Sequence, residues 1–501
     1  METLGGGGTG RADRADIREA KGSTDRKVCE SETGIAYEKD LAGSVDYGGD
    51  KGRSGSGKAE SIDRKTDEES NGGVGSGESA SRFNRVAVKV AEAQQRVLAA
   101  ADGLCLGSEH VPLLESGGRR LAQQIAATSD WPPFARSGLD GYAVRAADIA
   151  DATPEQPAVL RVVDTVAAGG LARAAVEQGT AVRIMTGAAV PVGADAVVML
   201  EQTAEAMLAC GSAAVLIKRA AAAGQHIAPQ GEEFRLGSAL AGPGTLVRPG
   251  HVALLGTFGY AEVPVCKRPR IAVFATGSEL LPVEAALAAG QIRDSNSGMI
   301  AAMAEQSGAV PIMCGSLPDR LDAVREAITR AAIEADLIVT TGGVSVGDFD
   351  VMSELFRSVK HECSSDQLLF DRVAMRPGSP TSAALIDGKL LIALSGNPGA
   401  CFVGFELFVR PVLLRLQGAE QALPRTVKAE LLTSVEKPSP HTRYVRTKLL
   451  YDPEGRLLAD PLAFSKSSMM ASIADAEGLA VIPSGSRGAE AGELIDVILI
   501  P

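Results

Sequence analysis

Asp336 to Asp350 reads DLIVTTGGVSVGDFD. The aliphatic run Leu337-Ile338-Val339 predicts a strand buried on both faces, stopping at Thr340-Thr341-Gly342-Gly343 ahead of a helix near Met352 to Val359. In such a strand–loop–helix unit, paired glycines let backbone N–H groups approach an anion, and the following helix N-terminus adds partial positive charge. Asp348 and Asp350 lie in the same loop, where carboxylates beside a phosphate cradle fit a divalent ion. A plain βα turn with solvated carboxylates has the same local spelling.

Outward from this stretch, residues 269–420 alternate α and β patterns. Strands are expected at 271–275, at 310–317, at Val373 to Met375, at Ala383 to Ile386 and at Leu390 to Leu394. Helices are expected at Ser297 to Gln306, at Leu321 to Ala335, where Leu321, Val324, Ile328 and Ala332 share one face, and at Cys401 to Leu416. The pattern describes a doubly wound, mostly parallel sheet. Ligands of such sheets bind beyond the carboxyl ends of the strands. Thr276 to Glu279, Asp319, Gly342 to Asp350 and Ser395 to Pro398 all follow predicted strands and are expected to converge on one rim. Glu279, Asp319, Asp348 and Asp350 would place four carboxylates there, a costly gathering without cations, which argues for Mg²⁺ bridging to phosphate.

The flanks read differently. Residues 1–83 hold 17 of the 56 glycines, mixed charges and only Tyr37, Tyr47 and Phe83 as aromatics, so a disordered Gly-rich tail is expected. Val86, Val90, Ala93 and Val97 share a helical face that Gly103 ends, and Leu113 to Ala127 reads as a second helix. From Trp131 short β-like runs dominate; helical texture returns around Gln225 to Arg268. An elongated first domain (84–131 and 225–268) with an inserted β domain (132–224) is therefore expected. Residues 421–501 read as a C-terminal β domain, giving a multidomain α/β plus β chain.

The composition excludes several classes. A net charge of −12 leaves no electrostatic footprint for nucleic acid. No apolar run reaches the roughly 18 residues of a membrane helix, and METLGGGG has no signal-peptide pattern, so the cytoplasm is expected. Seven scattered cysteines without a CxxC pair suit reduced thiols rather than zinc or disulfides.

Several longer motifs occur in order: PPFARSGLDGYAV (132–144), RIMTGAAVPVGADAVVMLEQT (183–203), FATGSEL (274–280), IRDSNSGM (292–299), LPDR (317–320), TTGGVSVGDFD (340–350), MRPGSP (375–380) and SGNPGA (395–400). With them the chain from about 84 to 501 resembles the molybdopterin molybdenumtransferases, the MoeA family, which is related to the C-terminal domain of gephyrin. The resemblance implies insertion of molybdate into adenylylated molybdopterin with Mg²⁺-dependent release of AMP. It also implies a homodimer with the active site at the subunit interface, and the molybdopterin adenylyltransferase is a candidate partner.

Carried onto this sequence, the family pattern assigns Glu279, Asp319 and Asp350 to the metal and phosphate end, with Asp348 in the same loop. Thr276, Gly277, Gly342, Gly343 and Ser345 would hold nucleotide or phosphates, and Ser395, Gly396 and Asn397 would wall the pterin or molybdate end. Asp140 and Thr186 match functional positions of the inserted β domain, although Asp-Gly at 140–141 is equally the spelling of a hairpin turn. Many relatives carry KPGKP where this chain has Arg376-Pro377-Gly378-Ser379-Pro380, so Arg376 replaces one lysine and Ser379 the other. Arg446 and Ser468 are candidate compensating donors. Two other readings use the same rim: adenylyltransfer to molybdopterin, which needs only the α/β unit, and a non-catalytic molybdopterin-binding scaffold.

Overall fold

The structure is a computed structural model that describes residues 87–104, 106–344, 351–361, 366–436, 438–463, 466–485 and 487–501. The tail expected at 1–83, Val86, Ser345, Asp348 and Asp350 lie outside the described residues.

Helix α1 (Val90–Asp102) buries Ala93, Val97, Leu98 and Ala101 and is followed by Gly103. Val88 is extended and bridges Val373, so the apolar face begins at Val90. The helix expected at Leu113 to Ala127 is absent. Only Leu113–Glu115 forms a 3-10 turn; Gly118 then takes a φ of 78°, and the backbone turns to cross-chain partners. Leu121 N–H donates to Thr245 O and Ala122 N–H to Pro264 O, each at 3.0 Å. Apolar spacing mimicked a helix there, but the Gly117-Gly118 pair breaks it. The helical texture expected across 225–268 likewise reduces to α2 (Pro249–Thr257), because left-handed glycines at 231, 237, 244 and 259 punctuate the segment. Glu262–Cys266 pairs antiparallel with Ser108–Pro112 instead.

Between these parts lies a six-stranded β body: β1 (Gly141–Val144), β2 (Ala158–Val166), β3 (Thr180–Ile184), β4 (Ala196–Met199), β5 (Thr203–Met207) and β6 (Ala213–Ile217), in the order β4-β1-β3-β2-β6-β5. The chain enters it through Arg136–Ser137 and leaves through Ile227–Ala228, and these two segments pair with each other antiparallel. Gly138 N–H donates to His226 O at 2.9 Å just inside the pairing.

The α/β part comprises β7 (Arg270–Ala275), α3 (Asn296–Gln306), β8 (Val310–Ser316), α4 (Leu321–Glu334), β9 (Leu337–Thr341), α5 (Val351–His361), β10 (Gln367–Phe370), β11 (Ser382–Ile386), β12 (Lys389–Leu394), α6 (Pro398–Gly404) and α7 (Arg410–Leu416). The sheet order is β8-β7-β9-β12-β11-β10. The first four strands are mutually parallel, and β11 and β10 close the sheet antiparallel. All five residues of β9 are buried because both faces are covered. Leu337 and Val339 pack with Ile300 and Met303 of α3, whereas Ile338 packs with Val324 and Ile328 of α4 and with Leu355 of α5.

The long helix expected to end at Leu416 is interrupted by a π turn at Phe405–Val409. Pro411 follows it, and a proline without N–H clashes with the carbonyl four residues back, which a widened turn relieves. Glu406 in this turn pairs with Arg410 at the start of α7, and both are buried.

The C-terminal strands are β13 (Thr426–Leu431), β14 (Thr442–Tyr451), β15 (Leu457–Pro461), β16 (Gly478–Ile482) and β17 (Leu494–Leu499). Their order, β14-β15-β13-β17-β16, returns to β14 through a β14–β16 pairing and so closes a five-stranded barrel with no free edge in that ring. Met375–Arg376 pairs parallel with the start of β14 and ties the α/β part to the barrel.

Candidate active site

Loops leave the carboxyl ends of the four parallel strands on one side of the sheet. Thr276 follows β7, Asp319 lies just beyond β8, Gly342 follows β9 and Ser395 follows β12. Hydrogen bonds lock these ends together. Thr276 N–H and its hydroxyl donate to Thr341 O at 2.9 and 3.1 Å, and Gly342 N–H donates to Leu394 O at 2.9 Å. A cleft of about 1090 Å³ opens there. Thr276, Gly277, Glu279, Asp319, Gly342, Gly343, Ser395, Gly396, Asn397 and Ser468 all line it, so these residues are brought together as the rim reading expects. A smaller cavity of about 410 Å³ between β8 and α4 touches none of the glycine-rich loops.

Two glycines shape the cradle. Gly342 has a φ of 90°, and a Cβ built on it would stand 2.6 Å from both Thr276 O and Thr276 Oγ1. At Gly277, with φ 142°, a Cβ would stand 2.6 Å from Glu279 Oε2, so the Glu279 carboxylate folds back over this backbone. A side chain at Gly342 would collide with Thr276 and one at Gly277 with the Glu279 carboxylate, so both loops need glycine to pack this closely.

Other expected residues lie elsewhere. Arg446 is buried behind the cleft wall, at 1% exposure, with Nε donating to Ser472 Oγ at 2.9 Å and Nη2 to Lys466 O at 3.0 Å. Its guanidinium underlies Gly399, where a Cβ would meet Nη1 at 2.2 Å. No carboxylate pairs with it among the described residues, and burial lowers its pKa. Arg376 is exposed, away from the cleft lining, opposite Arg443 in the strand pairing. Burial, then the Arg376 charge, pulls the Arg443 pKa down. Ser379 also stands off the lining, although its neighbour Pro380 belongs to it.

Asp140 and Thr186 are exposed on the β body and do not line the cleft of this chain. They bond to each other: Thr186 N–H and hydroxyl donate to Asp140 Oδ1 at 2.6 and 2.7 Å. Chiefly the backbone bond, then the hydroxyl, with Arg183 adding to both, hold the Asp140 carboxyl below the usual range. Because the folded pKa is depressed, the bond is complete above the ordinary aspartate value of about 3.9 and is lost as pH falls through the lower native value. Thr186→Val, which keeps the N–H and deletes the hydroxyl, is expected to move the Asp140 titration upward in a carboxyl-carbon NMR experiment. An unchanged titration would show that the hydroxyl does not act on it.

The cleft is also lined by residues given no role from sequence, notably Arg293, Asp294, Asn296, Thr341 and Arg357. Asp294 Oδ1 accepts Ser297 N–H at 3.0 Å at the start of α3, and Asn296 Nδ2 donates to Gly396 O at 2.8 Å. The DSN spelling before a helix is a usable signal for a capped N-terminus beside the rim. Among the described residues no three His, Cys, Asp or Glu side chains gather as a metal cage. Glu279 and Asp319 both line the cleft, and one or two carboxylates plus phosphate oxygens are what Mg²⁺ ordinarily requires, so the described residues fit that ion.

A mostly parallel sheet whose glycine-rich loops and carboxylates meet in one polar cleft defines an α/β protein with its ligand cleft beyond the carboxyl ends of its strands. Comparison with known proteins narrows this. Residues 88–259 match the family described as the MoeA N-terminal region (domain I and II), 272–415 a probable molybdopterin binding domain, and 428–500 the MoeA C-terminal region (domain IV). The molybdopterin molybdenumtransferase of Bacillus subtilis (strain 168) is 44% identical over 393 residues, covering 78% of this chain and 90% of that one. The protein of the same name from Staphylococcus aureus (strain COL) is 42% identical over 389 residues, with the same coverage of 78% and 90%. A crystal structure of the molybdopterin biosynthesis moeA protein from Pyrococcus horikoshii OT3 superposes with a TM-score of 0.70 at 30% identity, covering 83% of this chain and all of that one. The chain belongs to the MoeA family.

Proposed function

We propose that this chain is a molybdopterin molybdenumtransferase: it inserts molybdenum, supplied as molybdate, into adenylylated molybdopterin and releases AMP in molybdenum cofactor biosynthesis. The observation that carries the reading is the convergence of all four parallel-strand loops on one cleft in a chain matched by MoeA-family regions between residues 88 and 500. The amides around Gly277 and Gly343 would bind the phosphates, with Thr276 and Gly342 fixing the loop ends through their bonds to Thr341 O and Leu394 O and Glu279 and Asp319 holding Mg²⁺ beside them. When bound, that ion neutralises the charge developing on the departing AMP. Ser395, Gly396, Asn397 and Ser468 would position the pterin and molybdate end, with buried Arg446 supporting the wall behind Gly399.

Asp140 and Thr186 need a second copy of the chain if they are to reach a cleft, so a homodimer with a shared site is part of the proposal. So are the division into 84–131 with 225–268, 132–224, 269–420 and 421–501, and a cytoplasmic location. No helix among the described residues is long and apolar enough to cross a membrane.

The experiment is AMP release from adenylylated molybdopterin by the purified chain with Mg²⁺, with and without molybdate. Molybdate-dependent release yielding a product that activates an apo-molybdoenzyme is expected. Release indifferent to molybdate, or adenylylation of molybdopterin from ATP, would overturn the assignment.

A further inference from the structure

Among the described residues, seven buried side-chain polar atoms have no hydrogen-bond partner, and only two of them belong to residues that line the cleft: Asn296 Oδ1 and Thr341 Oγ1. Asn296 is 8% exposed and Thr341 1%. The orientation of the Asn296 amide is fixed chemically. Its other end meets the Gly396 carbonyl at 2.8 Å, which can only accept, so Nδ2 must lie there and Oδ1 must be the unpaired end.

Alternation along β9 puts Thr341 on the same sheet face as Leu337 and Val339, which pack with Ile300 and Met303 of α3. Asn296 is the first residue of that helix. An unpaired acceptor and an unpaired hydroxyl thus sit on one side of the cleft floor, next to the Gly342 and Gly396 backbones, whose close approach leaves 3.3 Å between Gly342 Cα and a Cβ built at 396. A buried polar group without a partner costs free energy until a donor satisfies it. That donor is not an anion. Asp294 already occupies the Ser297 N–H at this helix start, and its carboxylate repels phosphate.

We infer that Asn296 Oδ1, with the Thr341 hydroxyl beside it, is the specificity subsite that reads a neutral N–H edge of a heteroaromatic ring in the bound substrate. Phosphates would then lie toward Gly277 and Gly343. The inference rests on the adenylylated molybdopterin reading, which offers two such edges, the amino group of adenine and that of the pterin.

Direct calorimetric binding to the full chain separates them. AMP is compared with purine riboside 5′-monophosphate, which lacks the amino group, and 6-hydroxymethylpterin with its 2-deamino analogue, which carries hydrogen in its place. One pair is expected to show about tenfold weaker binding of the analogue, which names the ring that is read. In Asn296→Ala that difference is expected to collapse to within about twofold. Equal binding within both pairs, or discrimination that survives in Asn296→Ala, overturns the subsite. Thr341→Val serves as the second variant, and the analogue comparison on the unmodified chain needs no variant to fold. Failure of AMP and pterin to bind at all would instead overturn the parent functional reading, and the subsite with it.

Discussion

Replacing Glu279 with alanine is expected to slow molybdate-dependent AMP release by a factor on the order of 10² to 10³ while the chain stays folded. The carboxylate lines the cleft and curls over Gly277, so it stands where phosphate and its counter-ion would meet. Folding does not depend on it: Glu279 is exposed, and the short parallel pairing of Leu280–Leu281 with Ile292–Arg293 beside it uses only its backbone oxygen, which accepts Ile292 N–H at 3.0 Å. Steady-state AMP release across a Mg²⁺ titration, with circular dichroism as the folding control, checks this. A folded variant with full rate at every Mg²⁺ concentration would remove Glu279 from the metal end and leave Asp319 as the described carboxylate to test.

The second large effect concerns stability. Glu406→Ala is expected to cost about 3–5 kcal/mol, because it strands a charged guanidinium in the interior. Arg410 is 5% exposed and bonds Glu406 through two parallel contacts of 2.7 Å, from Nε to Oε2 and from Nη2 to Oε1. Its remaining donors reach Ser307 Oγ at 2.7 Å and Gln306 Oε1 at 3.0 Å at the end of α3. Replacing the pair together, Glu406→Leu with Arg410→Met, removes both charges and is expected to cost far less. Urea denaturation of the three proteins decides it. Equal losses in the single and double variants would mean that packing, not the uncompensated charge, sets the cost.

Much of the α/β part was legible because its parallel strands are covered on both faces and therefore spell continuous aliphatic runs. Leu337-Ile338-Val339 is such a run, and the loops after it, after Ala275 and after Leu394 meet in the cleft as the carboxyl-end rule requires. Where a stretch takes its hydrogen bonds from distant chain, local pattern misled. Leu113 to Ala127 has helical spacing, yet its backbone bonds go to residues near 245 and 264. β10 was missed because the strand is only four residues long and opens on Gln367, leaving three apolar residues. The floor of the cleft was illegible for a related reason: Asn296 acquires its orientation from Gly396, 100 residues on, and no window of sequence joins them. Asp140 and Thr186 were singled out only through family spelling, because their mutual bond spans 46 residues.

The paired segments Arg136–Ser137 and Ile227–Ala228 give the β body the architecture of a removable cassette. Facing residues of antiparallel strands stand only about 4.5–5.5 Å apart, a gap that a two-residue turn closes. Excision of 138–226 with a short graft would therefore delete Asp140 and Thr186 and keep the 136–137 with 227–228 pairing, at the loss of the bonds that Ala135 and Ser137 make to 187–190. The same geometry lets the excised piece be closed head to tail, so the β body and the rest of the chain can be made, labelled and remixed as separate polypeptides.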